Sequence, residues 1–482
     1  MNNLQSISYF LPEFAIIFIA LSIIVLDLCS LKQWIKYFTI IGFFIVGILL
    51  YQSSPSNEFL FENMLINDSF SYYFKWLILL STFSIILVSN YSRELDYEYY
   101  AEYNSLLLII LLGMFLMTNS VDLLMIYLSI ELVSIPSYIL AGIIKNDKKS
   151  NEASLKYVIF GSFASGLMLF GLSWLYGISG STNIYEIHKT IMLIDNPNML
   201  YMSIMLILVG FGYKISMAPL HYWTPDVYEG SPTTITAFLS VAPKAAGFAI
   251  LIRSFFTLFT VDGNLSVSSS AIEYADWTLI IAVLSAATMT IGNLLALKQD
   301  NVKRMLAYST ISHVGFMLMA FSTLSSGANI AIMFYLFIYM FMNLSAFFMV
   351  IYVENNYKVD SIDGWNGLGY KNLVLGFFMV LSLVSLAGLP PTSGFVGKVY
   401  LFRTLFAEQK FYWLAIVGVL NSVVSLYYYF KIVKSMYFKE NENLEVKKAH
   451  PVIFWLIVIF SAQNILFYFY WAPLYRIIEG LL

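Results

Sequence analysis

The sequence has one cysteine, Cys29, in 482 residues. That excludes an internal disulfide, a Cys-rich iron–sulfur site or a zinc ribbon within this chain. Charge is scarce as well: 11% of the residues are Asp, Glu, Lys or Arg, against about 25% in a soluble domain. The net charge of −3 is too small to suggest nucleic acid as a partner. No Gly-x-Gly-x-x-Gly or Walker sequence is present, so no nucleotide cradle is expected. Any redox chemistry must then belong to partner chains. The N-terminal run MNNLQSISYF has no basic start and no small-residue cleavage site, so the first apolar segment is expected to stay rather than leave as a signal peptide.

What is abundant is apolar side chain: 59% of the residues are hydrophobic, with a mean hydropathy of +0.75. This composition predicts an all-α polytopic membrane protein. With about 20 apolar residues per crossing, fourteen spans are expected, at roughly 9–28, 36–53, 71–90, 103–119, 121–144, 156–178, 199–219, 233–258, 277–297, 304–323, 328–353, 372–409, 411–433 and 452–475. The twelfth is too long for one crossing and contains LAGLPPTSGFVGK, so a broken helix is expected there. The seventh breaks in the same way at Ser216–Pro219.

The basic residues give an orientation. With the N-terminus outside, 17 Lys and Arg fall in cytoplasmic segments, among them Lys145, Lys148, Lys149, Lys303, Arg304 and Lys431, and 5 fall outside: Lys189, Arg253, Arg403, Lys410 and Arg476. That asymmetry predicts a topology with both termini outside.

Few charges lie at depth. Glu131 sits mid-span in MIYLSIELVSIPSYILAG; Lys214 precedes the break in span seven; Lys244 follows Pro243 in span eight; His313 lies in span ten; Lys398 follows the Pro-Pro break in span twelve. One charged side chain at the bilayer centre costs roughly 2.5–3.5 kcal/mol on insertion scales, so a watery, protein-lined route for protons or ions is the simplest reason to keep them. Glu13, Asp27, Lys75 and Asp122 lie nearer span ends, and Lys75, Asp122 and Lys156 read as interfacial, with stems buried and charges reaching water. His221 reads equally as a cap of a short helix near Asp226 or as part of the route.

The two broken helices are five spans apart, and each carries a lysine near its break. Spans 4–8 and 9–13 then form two repeats, inverted because five is odd, a pattern that points to a site near the membrane midplane. The expected segments are an N-terminal three-helix part at 1–102, a first five-helix repeat at 103–258, a second at 277–433 and a C-terminal helix at 452–482. A carboxylate about 6 Å from an ammonium contributes roughly 3 kcal/mol at an effective dielectric near 20, or about two pKa units. A Glu131–Lys214 pair that opens and closes can therefore load and release a proton, with Lys244, His313 and Lys398 continuing the route. The bland alternatives are that Lys214 and Lys398 bond carbonyls freed at the breaks, that Glu131 only pairs helices, and that His313 is a satisfied core histidine.

The run FGYKISMAPLHYWTPDVYEGSPTTITAFLSVAPKAAGFA closely resembles the signature of the subunit N family of bacterial NADH–quinone oxidoreductase, respiratory complex I. SIELVSIPSYILAG, NEASLKYVIFGSFASGLMLFG, NLLALKQDNVKRMLAYSTISHVGFML and SLAGLPPTSGFVGK are similar to further motifs of that family. The resemblance covers spans 4 to 13. It implies an antiporter-like membrane subunit that translocates protons while quinone is reduced elsewhere in the complex. It places the family's functional residues on Glu131, Lys214, Lys244, Lys398, His221 and, at the start of span six, Lys156. It assigns no cofactor to this chain: NADH, FMN, iron–sulfur clusters and quinone are expected in partner subunits, beside antiporter-like neighbours in the bilayer. The sister subunit M carries glutamate where Lys398 stands, and subunit L has a long C-terminal extension, so subunit N fits better. A subunit of a multisubunit cation/proton antiporter is the alternative. A solute carrier and a purely structural scaffold are further readings. The first predicts uptake without redox partners, the second unimpaired pumping after neutral substitution of Glu131, Lys214 or Lys398.

Overall fold

A computed structural model describes residues 3–95, 97–191, 197–261, 264–265, 277–441, 445 and 447–481. Met1 and Leu482, which bound the outer expected segments, lie outside the described residues. The described chain is mostly helical, with two short antiparallel strand pairs, Glu58–Leu60 with Leu65–Asn67 and Thr260–Val261 with Asn264–Leu265. In order its helices are α1 (Asn3–Tyr9), α2 (Leu11–Leu28), α3 (Lys32–Gln52), α4 (Ser69–Ser89), α5 (Tyr100–Asn119), α6 (Leu123–Ala141), α7 (Lys148–Ser179), α8 (Ile184–Ile191), α9 (Pro197–Ile215), α10 (Trp223–Gly230) and α11 (Thr233–Phe259). They continue as α12 (Trp277–Leu297), α13 (Val302–Phe321), α14 (Ser326–Tyr357), α15 (Leu368–Lys371), α16 (Leu373–Ala387), α17 (Ser393–Ala407), α18 (Tyr412–Phe438), α19 (Pro451–Phe469) and α20 (Trp471–Glu479).

Twelve of the described helices are long and apolar enough to cross a membrane, so the chain is a multi-pass membrane protein. The expected fourteen is reached only by adding α13 and the α16–α17 pair. α13 carries Lys303, Arg304 and several hydroxyl side chains that lower its hydropathy, and each half of the pair has 15 residues.

Polar side chains set the helix starts, as expected where four backbone N–H groups lack partners. Asp68 caps α4, Asp122 caps α6, Asp147 caps α7, Asn301 caps α13 and Ser325 caps α14. Both expected breaks are present. α9 stops at Ile215 and α10 starts at Trp223, with Ser216 in the left-handed region at φ 66°. α16 stops at Ala387 and α17 starts at Ser393, with Gly388 at φ 83°, where glycine has no Cβ penalty.

α11 and α14 form the centre: all of the most apolar stretch of α11 is buried, and 94% of that of α14. They are largely apolar all round, as suits a helix surrounded by protein, apart from a buried polar line that includes Thr233, Ser240 and Lys244 on α11 and Asn343 on α14. α2, α3, α7, α18 and α19 bury only 33% of theirs and turn the rest outward. Connections expected on one membrane face meet one another. Arg93 bonds Asn355, Lys149 pairs with Glu229, Lys431 with Asp300 and Lys439 with Asp363. On the opposite face Asn183 bonds Asn63, Thr182 bonds Asp122, and Arg253 bonds Asp68 and the Thr118 carbonyl.

Candidate functional site

Both helix breaks face the α11–α14 centre, and the depth residues gather there. Lys214 is 4% exposed at the end of α9. Its Nζ donates to Ser134 Oγ of α6 at 3.0 Å. Ser134 lies one turn beyond Glu131, so Glu131 is close enough to act on Lys214 electrostatically. The two form no ion pair, however: Glu131 Oε1 is buried without a hydrogen-bond partner among the described residues. The expected Glu131–Lys214 bridge is thus open here, because the serine on the same helix face takes the ammonium.

Lys244 follows on α11. It is 1% exposed, its Nζ has no hydrogen-bond partner among the described residues, and it stands 5.5 Å over the Tyr228 ring. Gly247, one turn further, brings the α9 terminus against α11. A Cβ there would lie 2.8 Å from Ile215 Cγ2 and 3.6 Å from Lys214 Cγ. The missing side chain therefore sets the approach of the two lysine-bearing elements.

His313 on α13 is fully enclosed and satisfied on both nitrogens: Nδ1 meets Tyr335 Oη at 2.7 Å, and Nε2 meets Tyr429 Oη at 3.1 Å. Tyr429 continues to Ser309, and Tyr339 lies 5.2 Å from the imidazole. Lys244 and Lys398 both lie close enough to act on His313 electrostatically. Lys398 donates to the Ala387 carbonyl at 2.8 Å and stands 4.7 Å over the Phe316 ring. That carbonyl is the one freed where α16 ends, so the bland geometry expected of Lys398 is realised. Glu131, Lys214, Lys244, His313 and Lys398 thus lie along one buried band through both halves of the chain.

Two expected site residues remain, His221 in the α9–α10 break, its Nδ1 buried without a hydrogen-bond partner among the described residues, and Lys156 on α7. His221 is 3% exposed and stacks on Tyr222 at 4.7 Å. It does not cap α10: Tyr222 occupies that position, without a side-chain bond. Lys156 bonds Glu152 at 2.7 Å and Asp226 at 2.6 Å. Arg304 joins the same network through Asp226 and Glu229, so Lys156 ties α7 to α10 and α13 at a half-exposed surface. Lys75 corrects the reading of an interfacial side chain. It is 4% exposed and pairs at 2.6 Å with Glu13, which is 0% exposed. Outside the membrane helices, burial opposes ionisation of Asp68, but the Arg253 guanidinium outweighs it and holds this carboxyl below its usual range.

Sequence reasoning missed Ser134, Tyr335, Tyr429, Tyr228 and the Asp226–Arg304 contacts. Among the described residues no group of three His, Cys, Asp or Glu side chains could hold a metal ion.

Comparison with known proteins places this architecture. The profile of the family described as NADH:quinone oxidoreductase/Mrp antiporter, TM, matches residues 120–425. NADH-quinone oxidoreductase subunit N 2 of Chloroherpeton thalassium is 43% identical over 446 residues, covering 90% of this chain and 86% of the relative. A chain of respiratory complex I from Thermus thermophilus superposes with a TM-score of 0.79 at 26% identity, covering 95% of this chain and 96% of that one. A chain of the Mrp complex from Dietzia sp. DQ12-45-1b shares the fold, with a TM-score of 0.81 at 18% identity over 98% of this chain and 96% of that chain.

Proposed function

Because the chain belongs to the subunit N family of NADH-quinone oxidoreductase, we propose that protons cross it along Glu131, Lys214, Lys244, His313 and Lys398. It is an antiporter-like, proton-translocating membrane subunit of that translocase and works beside the complex's other membrane subunits. NADH, FMN, iron–sulfur clusters and quinone belong to those partners. Residues 103–258 and 277–433 are the two inverted repeats, 1–102 is an added three-helix segment and 452–482 a closing helix. Both termini face the periplasm, so the Lys149–Glu229–Arg304 face is cytoplasmic. His221 and Lys156 flank the route, Lys156 as the ion-paired anchor of α10.

One observation supports the band as a proton route most directly. Glu131 Oε1 and Lys244 Nζ are buried titratable atoms with no hydrogen-bond partner among the described residues. A buried polar atom left in that condition costs about 1–3 kcal/mol, more if charged, which favours water as its partner. Lys214 lies between them and has two available positions, Ser134 in this state and the Glu131 carboxylate one turn away. A proton moves when the lysine exchanges one for the other: with the carboxylate near, the ammonium is favoured, and without it the amine gives its proton onward.

The test is Lys214→Met in the intact complex in vesicles, with NADH oxidation and pumping measured together. Both should fall while assembly persists. Normal pumping in an assembled complex would reduce Lys214 to a structural role. The Mrp-type alternative requires a pH-gradient collapse that depends on sodium and needs no NADH.

A further inference from the structure

A second cluster of titratable side chains lies outside the Glu131–Lys398 band, at the start of α11. The Thr233 N–H donates to Glu94 Oε2 at 2.7 Å. The Thr233 hydroxyl meets Glu94 Oε1 at 3.3 Å and also Glu354 Oε2 of α14. A hydroxyl has one proton to give, so it cannot donate to two carboxylates. The second contact becomes a hydrogen bond only when one carboxyl itself carries a proton. Lys303 Nζ lies 3.7 Å from Glu354 Oε1 and donates to the Ser231 carbonyl at 3.2 Å. Asp360 and Glu229 are the other charges acting on it. Two carboxylates that share one hydroxyl repel each other when both are charged, so a proton on Glu354 is favoured, with Lys303 beside it and Lys145 on the Glu94 side.

Two independent features give this cluster an outer and an inner connection. Outward, Glu94 lines a cleft of about 60 Å³ together with Tyr99 and the exposed Lys145 and Asn146. Such a space holds water, which needs about 10–15 Å³. Inward, Thr233, Ser240 and Lys244 lie within about 40° of one another on α11 at 3.6 residues per turn. Asn343 of α14 donates to Ser240 Oγ at 2.6 Å. Thr233 meets Glu354 and Ser240 meets Asn343, so α11 and α14 face each other along one polar seam. The seam covers about 16 Å from Thr233 to Lys244. Along and beside it Ser231 Oγ, Asn343 Oδ1, Tyr228 Oη and Lys244 Nζ are all buried without a hydrogen-bond partner among the described residues.

We propose that the Glu94–Thr233–Glu354 cluster takes up protons from the cytoplasmic face and that the α11–α14 seam, filled by water, delivers them to Lys244. This rests on the reading of Lys244 as a proton carrier. The carboxyl O–H proton passes through the seam to the Lys244 amine, giving ammonium and carboxylate, and a proton from the cytoplasmic solution, relayed by water in the cleft, restores the carboxyl. Glu354 holds the proton; Thr233 links it to Glu94 at the cleft; Asn343 positions the water.

The test uses the intact complex in vesicles, with NADH oxidation and pumping followed against pH on the uptake side. Glu354→Gln should lower pumping-linked turnover by on the order of tenfold or more and move the pH profile. Glu354→Asp should restore much of it, and Glu94→Gln with Glu354→Gln should be worse than either alone. Thr233→Val keeps the shape and every charge, so it reports on proton passage even if the glutamine variants fail to assemble; it too should slow turnover and move the profile. Wild-type pumping and pH profile in Thr233→Val and in the assembled glutamine variants would overturn the proposal. Lys244→Met separates this failure from that of the parent reading. If Lys244→Met abolishes pumping while the cluster variants are normal, only this uptake path is wrong; if all are normal, the carrier role of Lys244 is wrong too.

Discussion

Lys75→Met should destabilise the N-terminal helices strongly, and Glu13→Gln in the same chain should reverse most of the damage. Lys75 and Glu13 join α4 to α2 with 2.6 Å between Nζ and Oε1, at 4% and 0% exposure. At an effective dielectric near 20 their attraction is roughly 6 kcal/mol, offset by a desolvation cost of several kcal/mol per ion. The pair as a whole is therefore close to neutral against two uncharged side chains. A single substitution is different. Without Lys75 the Glu13 carboxylate keeps its burial and loses its only bonded partner, since Oε2 already has none among the described residues. The cost expected from breaking a buried pair is about 3–5 kcal/mol. Thermal inactivation of the purified complex, with the assembled fraction on native gels, would compare Lys75→Met, Glu13→Gln and the double variant. A coupling of about 3 kcal/mol between the two sites is the expected result. If both single variants match the unsubstituted complex, the buried pair carries no such energy and the reasoning fails. If the double variant is stable but cannot pump, the pair handles protons instead of holding helices together.

Asp68→Asn should weaken the tie between α4 and α11, because Arg253 donates to both carboxylate oxygens at 2.8 Å. The folded carboxyl titrates below its ordinary 3.8, so its stabilising effect is complete above that value and disappears as pH falls through the lower folded one. Melting curves of the complex taken down to about pH 3 should slope less in the Asn variant than in the parent. Tyr429→Phe removes the Nε2 partner of His313 and the link to Ser309; pumping should fall with assembly intact, and unchanged pumping would make the tyrosine a packing residue only. Ser134→Ala removes the acceptor of Lys214, a bond to a charged group worth about 1.5–3 kcal/mol. It should shift the lysine toward Glu131 and change turnover several-fold, whereas Ser134→Thr should preserve it.

The residues that could be found from sequence were those that are expensive where they stand. Glu131, Lys214, Lys244 and Lys398 interrupt long apolar runs, and a charge in such a run has to have a reason. Their partners were hidden because they are cheap. Tyr335 and Tyr429 are two of 35 tyrosines, and nothing in the order of residues separates a ring that bonds His313 from one that faces lipid. Glu94 and Glu354 stand beside helix ends, where charges meet water and draw no notice; only folding brings the end of α14 onto the start of α11. Lys75 shows the same limit from the other side: an ion read as interfacial proved buried because its counter-ion, 62 residues away, lies on a helix that sequence spacing cannot align with it. The Glu131–Lys214 pair, expected to open and close, is open in this structure, since Ser134 shares the glutamate's helix face and competes for the same ammonium. That competition is the useful outcome. A permanently closed pair would hold its proton, whereas a lysine with two acceptors one turn apart can pass it on.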